Sequence, residues 1–125
     1  LNKTIRYSLK YMKKYWNSYA NFYIHLKECD IPGHDWLVRE KIRMIELIDR
    51  KFFGSLKKFK GYKLIVTSDH ATPCNRKSHS DDPVPLLYYD GTDKPDHIVK
   101  FSERSCRKGS LGVMEGKEVL KLLNI

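Results

Sequence analysis

An aspartate and a histidine, Asp69 and His70, follow directly after the apolar run Leu64–Val66 and two small polar residues. A short apolar run of this kind predicts a strand that is buried on both faces. In open α/β sheets, binding sites form where loops leave the carboxyl ends of the strands. A carboxylate oxygen beside an imidazole nitrogen suits zinc, manganese or a related divalent ion better than calcium, which prefers oxygen ligands alone. The pattern therefore indicates a metal site, and it is also typical of a plain turn with a solvated histidine.

A second carboxylate and imidazole pair, Asp30 and His34, flanks the dipeptide Pro32-Gly33. The Pro-Gly pair is expected to exclude a regular helix and to favour a tight turn. A spacing of four residues around such a turn lets both side chains face one point, at the ligand distances of about 2.0–2.2 Å that zinc requires. The next residue, Asp35, is expected to cap the helix that follows.

His79 adds a fifth potential ligand, in the loop that follows the Leu64–Val66 run. Five ligands suggest two ions, and two neighbouring divalent ions can clamp a phosphoryl group during an in-line displacement. Asp81 and Asp82 are explained equally well in two ways. They either orient His79 or form an Asx turn before Pro83.

The elements that must position these ligands are predicted from hydrophobic periodicity. The helical spacing of Ile5, Leu9, Met12 and Trp16 predicts a surface helix over residues 1–19 with this stripe buried. A second helix is predicted from Trp36 to Phe53, with Gly54 as its stop. Glu115–Leu123 is expected to form a short C-terminal helix. Short runs of β-branched, aromatic and aliphatic residues predict three strands, which are Asn21–Leu26, Leu64–Val66 and Val84–Tyr89. Together these elements predict an α/β fold.

Composition bounds the class of protein. The 125 residues suffice for one modest unit, and no apolar run approaches the roughly 20 residues of a membrane span. No signal-peptide pattern is present, so a cytoplasmic protein is expected. Three cysteines without CxxC spacing, Cys29, Cys74 and Cys106, are expected to be reduced thiols. The net charge of +9 favours anionic partners. Nucleic acid is not expected among them, because no aromatic and basic recognition motif accompanies the charge.

Four motifs occur in one order along the chain: CDIPGHD, VTSDHATPC, KSHSDDPVPLL and FSERSCRKGSLG. In order and spacing they resemble the C-terminal part of archaeal-type, cofactor-independent phosphoglycerate mutases of the alkaline phosphatase superfamily. The resemblance runs from about Tyr23 to the end of the chain. It implies that residues 1–125 form a single unit, the C-terminal portion of a three-layer domain with a mostly parallel sheet flanked by helices.

The resemblance also implies a distribution of the ligands over two metal sites. One site would consist of Asp30, His34 and His79. The other would take Asp69 and His70, together with an aspartate and a nucleophilic serine that the family places near the start of its full-length chain. The two divalent ions would be manganese, zinc, magnesium or cobalt.

The activity implied by the resemblance is the interconversion of 3-phosphoglycerate and 2-phosphoglycerate through a phosphoserine intermediate, in glycolysis and gluconeogenesis. The upstream nucleophile segment and the substrate-clamping domain of the family have no counterpart in this sequence, so the chain alone is expected to be inactive. Two alternatives stay open. One is another metal-dependent phosphatase or phosphotransferase of the superfamily, and the other is a non-catalytic remnant or basic binding module.

Overall fold

The computed structural model describes residues 1–92 and 94–124. Contacts between residues group them into two compact units. The first unit comprises Leu1–Lys60 and Thr72–Ser80, and the second comprises Gly61–Ala71 and the described residues of Asp81–Ile125. The expectation that residues 1–125 form one domain portion stays a prediction.

The first unit begins with helix α1, Asn2–Tyr15. It is shorter than the predicted helix over residues 1–19, and its buried residues, Ile5 and Met12, belong to the predicted stripe. Just beyond the helix, the ring of Trp16 lies 4.4 Å from that of Phe59, measured between centroids. The apolar face of α1 thus anchors the first unit.

The segment before the first ligand is not a strand. Residues 21–26, predicted as a strand, have no regular secondary structure, and a short 3-10 helix, Lys27–Cys29, follows them. Next comes helix α2, Ile31–His34, a single turn that corrects the expectation that the Pro-Gly pair excludes a helix. Pro32 lies in the first helical turn, where its missing N–H group has no intrahelical partner to lose.

Helix α3, Val38–Ile48, continues into a π-helical turn, Asp49–Phe53, and then into helix α4, Gly54–Leu56. The prediction that Asp35 caps this helix is wrong, because the N-cap is Leu37 and no side chain caps the helix. The prediction that Gly54 stops it is also wrong, since the helical path runs on through α4. Phe52 and Leu56 are both buried, so burial of these side chains outweighs the local helix-breaking preference of glycine.

The second unit holds strands β1, Leu64–Val66, and β2, Leu87–Tyr89. They pair antiparallel, with Ile65 opposite Tyr88. Both strands were predicted, although β2 is shorter than the run Val84–Tyr89. The prediction that β1 is buried on both faces is wrong, because all three of its residues are half-buried. The described residues thus form an α/β structure whose small sheet is antiparallel, and the mostly parallel sheet expected from the sequence is not seen in this part of the chain.

Loops and short helices make up the rest of the second unit. Helix α5, Glu103–Cys106, was not predicted, and its N-cap Ser102 accepts a hydrogen bond from the backbone N–H of Ser105. The predicted C-terminal helix is confirmed as α6, Gly116–Val119, followed by a 3-10 turn, Leu120–Leu123. A reciprocal capping box between Glu115 and Glu118 starts it.

The loop before α5 is closed by one carboxylate. Asp96 accepts hydrogen bonds from the backbone N–H groups of Ser110 at 2.9 Å and Ile98 at 2.8 Å. These two bonds to the charged form, the Ser110 bond first, lower the pKa of Asp96. Asp96 therefore ties two stretches of loop together while it is ionised.

Two expectations from composition can be compared with the structure. Cys29, Cys74 and Cys106 are free thiols, as expected. None of the described helices is both long enough and apolar enough to cross a membrane.

Candidate metal centre

Asp30, His34 and His79 converge in the first unit. One ligand atom from each lies within 4.8 Å of the ligand atoms of the other two. Asp30 Oδ1 is 3.4 Å from His34 Nε2 and 3.7 Å from His79 Nε2, and the two imidazole rings are 5.1 Å apart between centroids. The structure thus gathers three of the five predicted ligands at one point.

Two of these residues are positioned by helix α2. Asp30 is its N-cap residue and His34 is its last residue, so the two are four positions apart on one helical turn. Residues at this spacing lie on the same face of a helix, and the carboxylate and imidazole therefore meet. His79 reaches them from the segment 72–80, which belongs to the same unit.

Thr72 holds the aspartate in place. Its hydroxyl donates a 2.7 Å hydrogen bond to Asp30 Oδ1, and its side chain is buried, with 6% exposure. The backbone carbonyl of Thr72 in turn accepts a 2.6 Å hydrogen bond from Lys41 Nζ on α3. Gly33 lies against the same threonine: a Cβ atom at Gly33 would be 2.7 Å from the Thr72 carbonyl oxygen. The absence of a side chain at position 33 therefore permits this close approach.

A backbone carbonyl fixes the orientation of His34. His34 Nδ1 lies 3.0 Å from the carbonyl oxygen of Lys77. Because a carbonyl oxygen only accepts hydrogen bonds, Nδ1 is the donor in this contact, and Nε2 is the ring nitrogen that faces Asp30 and His79. Histidines that bind metals are commonly held by such a bond from the other ring nitrogen.

The donor set fits a divalent metal ion. Ligands about 2.0–2.1 Å from a tetrahedral ion lie roughly 3.3–3.4 Å from one another. The distances from Asp30 Oδ1 to the two imidazole nitrogens, 3.4 and 3.7 Å, are close to this value. One carboxylate oxygen and two imidazole nitrogens are typical of zinc and neighbouring ions, and three protein ligands leave a coordination position open. Their role as ligands stays a prediction.

Asp69 and His70 belong to the second unit, directly after β1 as predicted. Asp69 Oδ1 accepts a 3.1 Å hydrogen bond from the backbone N–H of His70, and Asp69 Oδ2 lies 3.6 Å from His70 Nε2. The Asp69 side chain is 63% exposed. The pair is therefore accessible at the end of a strand, and its part in a metal site also stays a prediction.

Sequence reasoning did not identify the residues that support the three ligands. Thr72, Lys41 and the carbonyl of Lys77 act through contacts over 31 to 43 positions of the chain, which no local pattern reveals. The available signal was only that Thr72 and Lys77 lie between His70 and His79 in the loop. Beside the site, burial raises the pKa of the Cys29 thiol, with a smaller opposing effect from Lys41.

The sequence matches a known protein family over nearly its whole length. The family described as the metalloenzyme superfamily matches residues 3–125, and the chain belongs to this family. Membership implies the use of a divalent metal ion, in agreement with the chemistry of the Asp30, His34 and His79 side chains.

Within this class, the similar curated proteins are 2,3-bisphosphoglycerate-independent phosphoglycerate mutases. The protein of that name from Metallosphaera sedula is 43% identical over 104 residues, which are 81% of this chain and 25% of the relative. A probable mutase of the same kind from Thermosipho melanesiensis is 37% identical over 120 residues, which are 96% of this chain and 30% of the relative. The family resemblance found in the four motifs is thereby confirmed.

A solved structure is also similar over nearly the whole chain. The PH0037 protein from Pyrococcus horikoshii matches 97% of this chain and 37% of its own, with a TM-score of 0.82 and 31% identity. The chain spans about 25–30% of the length of the two curated relatives described above.

Proposed function

We propose that this chain is the metal-binding C-terminal part of a cofactor-independent phosphoglycerate mutase, an isomerase that interconverts 3-phosphoglycerate and 2-phosphoglycerate through a phosphoserine. The observation that carries the proposal is the convergence of Asp30, His34 and His79 in a member of the metalloenzyme superfamily. The names of the similar proteins support the same reaction. We further propose that it acts in the cytoplasm, within an enzyme built on an alkaline-phosphatase-like three-layer domain.

The intact enzyme would hold two divalent ions, chosen from manganese, zinc, magnesium and cobalt. Asp30, His34 and His79 would hold one. Asp69 and His70 would contribute to the other, together with an aspartate and a serine from the remainder of the enzyme. When bound, such ions stabilise the charge on a transferred phosphoryl group and lower the pKa of a hydroxyl nucleophile.

Other residues of this chain would hold the proposed ligands in position before a metal ion or substrate binds. The Thr72 hydroxyl keeps Asp30 Oδ1 in a single position, and the Lys77 carbonyl keeps His34 Nε2 directed at the cluster. A preorganised ligand set of this kind needs little rearrangement when an ion binds. The excess of basic residues, 24 Lys and Arg against 15 Asp and Glu, favours the approach of an anionic phosphoglycerate.

None of the serines near the predicted ligands, Ser68, Ser78 and Ser80, is proposed as the nucleophile. Serine is a weak nucleophile at its free pKa and needs direct activation, and the family resemblance places the attacking serine elsewhere. Another phosphatase or phosphotransferase would use the same metal ligands, so these reactions must be distinguished by the acceptor that receives the phosphoryl group. A non-catalytic binding module would transfer no phosphoryl group.

The test is an assay of the intact gene product on 3-phosphoglycerate without added 2,3-bisphosphoglycerate. We expect 2-phosphoglycerate to form, no stoichiometric release of inorganic phosphate, and loss of turnover on chelation that is restored by Mn²⁺ or Zn²⁺. Release of phosphate without 2-phosphoglycerate would instead identify a phosphatase, and inactivity in every metal would favour the binding module.

Matched variants connect that activity to the cluster. His79→Gln removes one proposed ligand and should lower kcat/KM at limiting metal by about 100-fold or more, since second-sphere changes alone typically reduce metal affinity by about 10- to 100-fold. His97→Gln, an exposed histidine in the second unit, is the control and should retain normal turnover. Equal activity of the two variants would remove His79 from the proposed site.

A further inference from the structure

Trp36 occupies a backbone position that normally takes glycine. Helix α2 ends in a Schellman-type turn, in which the N–H of Leu37 donates a 2.9 Å hydrogen bond to the carbonyl of Pro32. The residue at the left-handed position of this turn is Trp36, with φ of 59°. A bulky side chain is disfavoured there, and glycine would relieve the strain. Helix termination alone therefore does not explain a tryptophan at this position.

Lys77 has the same unusual conformation, with φ of 54°. Its carbonyl oxygen is the acceptor of the hydrogen bond from His34 Nδ1, and it precedes His79 by two residues. The conformation of Lys77 thus affects two of the three converging side chains. It orients His34 directly and sets the path of the chain into His79.

The two strained residues contact each other. Lys77 Nζ lies 4.9 Å from the centroid of the Trp36 ring, within the range of a cation–π interaction. Trp36 follows His34 by two residues, while Lys77 lies 43 positions from His34 along the chain. The contact therefore links the end of α2 to the segment that carries His79, immediately beside the His34–Lys77 hydrogen bond.

Strained non-glycine conformations persist where the surrounding structure over-determines them, and they cluster at functional sites. We infer that Trp36 and Lys77 are positioning residues, a clamp that holds the segment 72–80 against α2 and so keeps His34 and His79 in the geometry that binds a divalent ion. The inference rests on the proposed function, because the side chains it positions are the proposed metal ligands. It adds two residues outside the ligand set that determine how tightly the site binds.

Two substitutions separate the clamp from the fold. Trp36→Gly removes the indole and relaxes the backbone, so the turn that ends α2 remains favourable. Lys77→Met keeps the apolar stem and removes the cation. Lys14→Met is the matched control, because Lys14 Nζ lies 5.0 Å over the ring of Tyr15 in α1, a cation–π contact away from the cluster.

The first readout is the affinity of the intact gene product for Zn²⁺ or Mn²⁺, measured by calorimetric titration. We expect Trp36→Gly to weaken metal binding about 10-fold and Lys77→Met to weaken it several-fold, because residues that orient metal ligands typically affect affinity on this scale. Lys14→Met should leave the affinity unchanged. Lys77→Arg and Trp36→Phe, which keep a cation and an aromatic ring, should restore most of the affinity. Wild-type affinity in both clamp variants would overturn the inference.

The second readout does not depend on metal. In basic solution, where imidazole is neutral, the ¹⁵N chemical shifts of the His34 ring, assigned with a His34→Gln variant, should report a single tautomer protonated at Nδ1 in the metal-free wild type and a mixture of tautomers in Trp36→Gly. A single tautomer that persists in Trp36→Gly would show that the clamp does not orient His34. If the mixture appears and the wild type binds no ion at this cluster, the clamp stands as a positioning device and the proposed metal function is the part that fails.

Discussion

The hydroxyl of Thr72 donates a 2.7 Å hydrogen bond to Asp30 Oδ1 across 42 positions of the chain. Asp30 Oδ1 is also the oxygen that lies closest to the imidazoles of His34 and His79. A buried residue outside the ligand set therefore fixes the atom around which the candidate metal site is arranged.

Replacement of Thr72 by valine should weaken metal binding without unfolding the protein. Thr72→Val keeps the shape of the side chain and removes its hydrogen bond to the Asp30 carboxylate. The loss of such a bond should lower the free energy of unfolding by no more than about 1.5–3 kcal/mol. Affinity for Zn²⁺ should fall by about 10- to 100-fold. Calorimetric titration measures the affinity and urea unfolding measures the stability. Thr72→Ser restores the hydroxyl and should bind nearly as the wild type does; equal weakening in both variants would assign the effect to packing instead.

Gly33→Ala should disturb the same contact from the other side. In a helix, alanine is favoured over glycine by up to about 1 kcal/mol. Here the new Cβ would be 2.7 Å from the Thr72 carbonyl oxygen, which Lys41 also holds through a 2.6 Å hydrogen bond. Overpacking of this kind typically destabilises by about 1–3 kcal/mol, so the clash should prevail.

The control for that substitution is Gly116→Ala, in the first turn of α6. Apart from its chain neighbours and the backbone of its own helix, no described heavy atom lies within 4 Å of a Cβ at Gly116, and this variant should be neutral or slightly stabilising. The free energy of unfolding and the Zn²⁺ affinity should both fall in Gly33→Ala. Neither quantity should fall in Gly116→Ala. A stabilised Gly33→Ala variant with full affinity would contradict the close approach of Gly33 and Thr72.

Asp69→Ala should affect activity far more than folding. The Asp69 side chain is 63% exposed and follows β1, so its loss should change stability by no more than about 0.5 kcal/mol. As a proposed ligand, it should be needed for turnover at limiting metal in the intact gene product. Asp49→Ala, another exposed aspartate, serves as the control in the same assay. Near-normal turnover of Asp69→Ala at limiting Mn²⁺ would remove Asp69 from the ligand set.

Acid should release the loop that Asp96 closes. The pKa of Asp96 is lowered in the folded protein by hydrogen bonds from backbone N–H groups, the Ser110 bond first, from an ordinary value near 3.8. Its contribution to stability is therefore fully present above about pH 4, and it is lost as the pH falls through the lower folded-state pKa. Asp96→Asn should remove this contribution at neutral pH and flatten the acid dependence of unfolding.

Urea unfolding at pH 7, 5 and 3 measures that difference between wild type and Asp96→Asn. Ser110→Ala removes only the 3.2 Å hydrogen bond from the Ser110 hydroxyl to Asp96 and keeps the bond from the backbone N–H. It should therefore lower the free energy of unfolding less than Asp96→Asn does. An Asp96→Asn variant with the same acid dependence as the wild type would show that these bonds do not stabilise the folded state.

Short-range patterns were sufficient for much of the secondary structure. The apolar spacing of residues 1–19 predicted α1 and its two buried residues, Ile5 and Met12, and the run Leu64–Val66 predicted β1. These features follow from hydrophobic periodicity and side-chain shape, which operate within a few residues. The four motifs also predicted the family, because residue types and their spacing are visible without a structure.

Local reasoning failed where packing overrode preference. The Asn21–Leu26 run has the composition of a strand, yet a strand needs a partner to accept its hydrogen bonds, and these residues adopt no regular structure. Gly54 did not end its helix because the buried Phe52 and Leu56 on either side of it keep the helical path. In both cases the outcome depends on strand pairing or burial, which the local sequence pattern does not encode.

The sequence by itself determined that carboxylates and imidazoles lie near two points of the chain, and that Asp30 and His34 are four positions apart around Pro32-Gly33. The structure decided that a helical turn, α2, joins these two residues. Only the tertiary structure decided that His79 joins them, that Thr72 holds Asp30, and that Lys77 orients His34. Those contacts join residues 42 to 49 positions apart, and no pattern with a period of two or 3.6 residues encodes such a distance. They arise because the segment 72–80 packs on α2 and α3, where the hydrogen bonds of Thr72 and Lys77 can form.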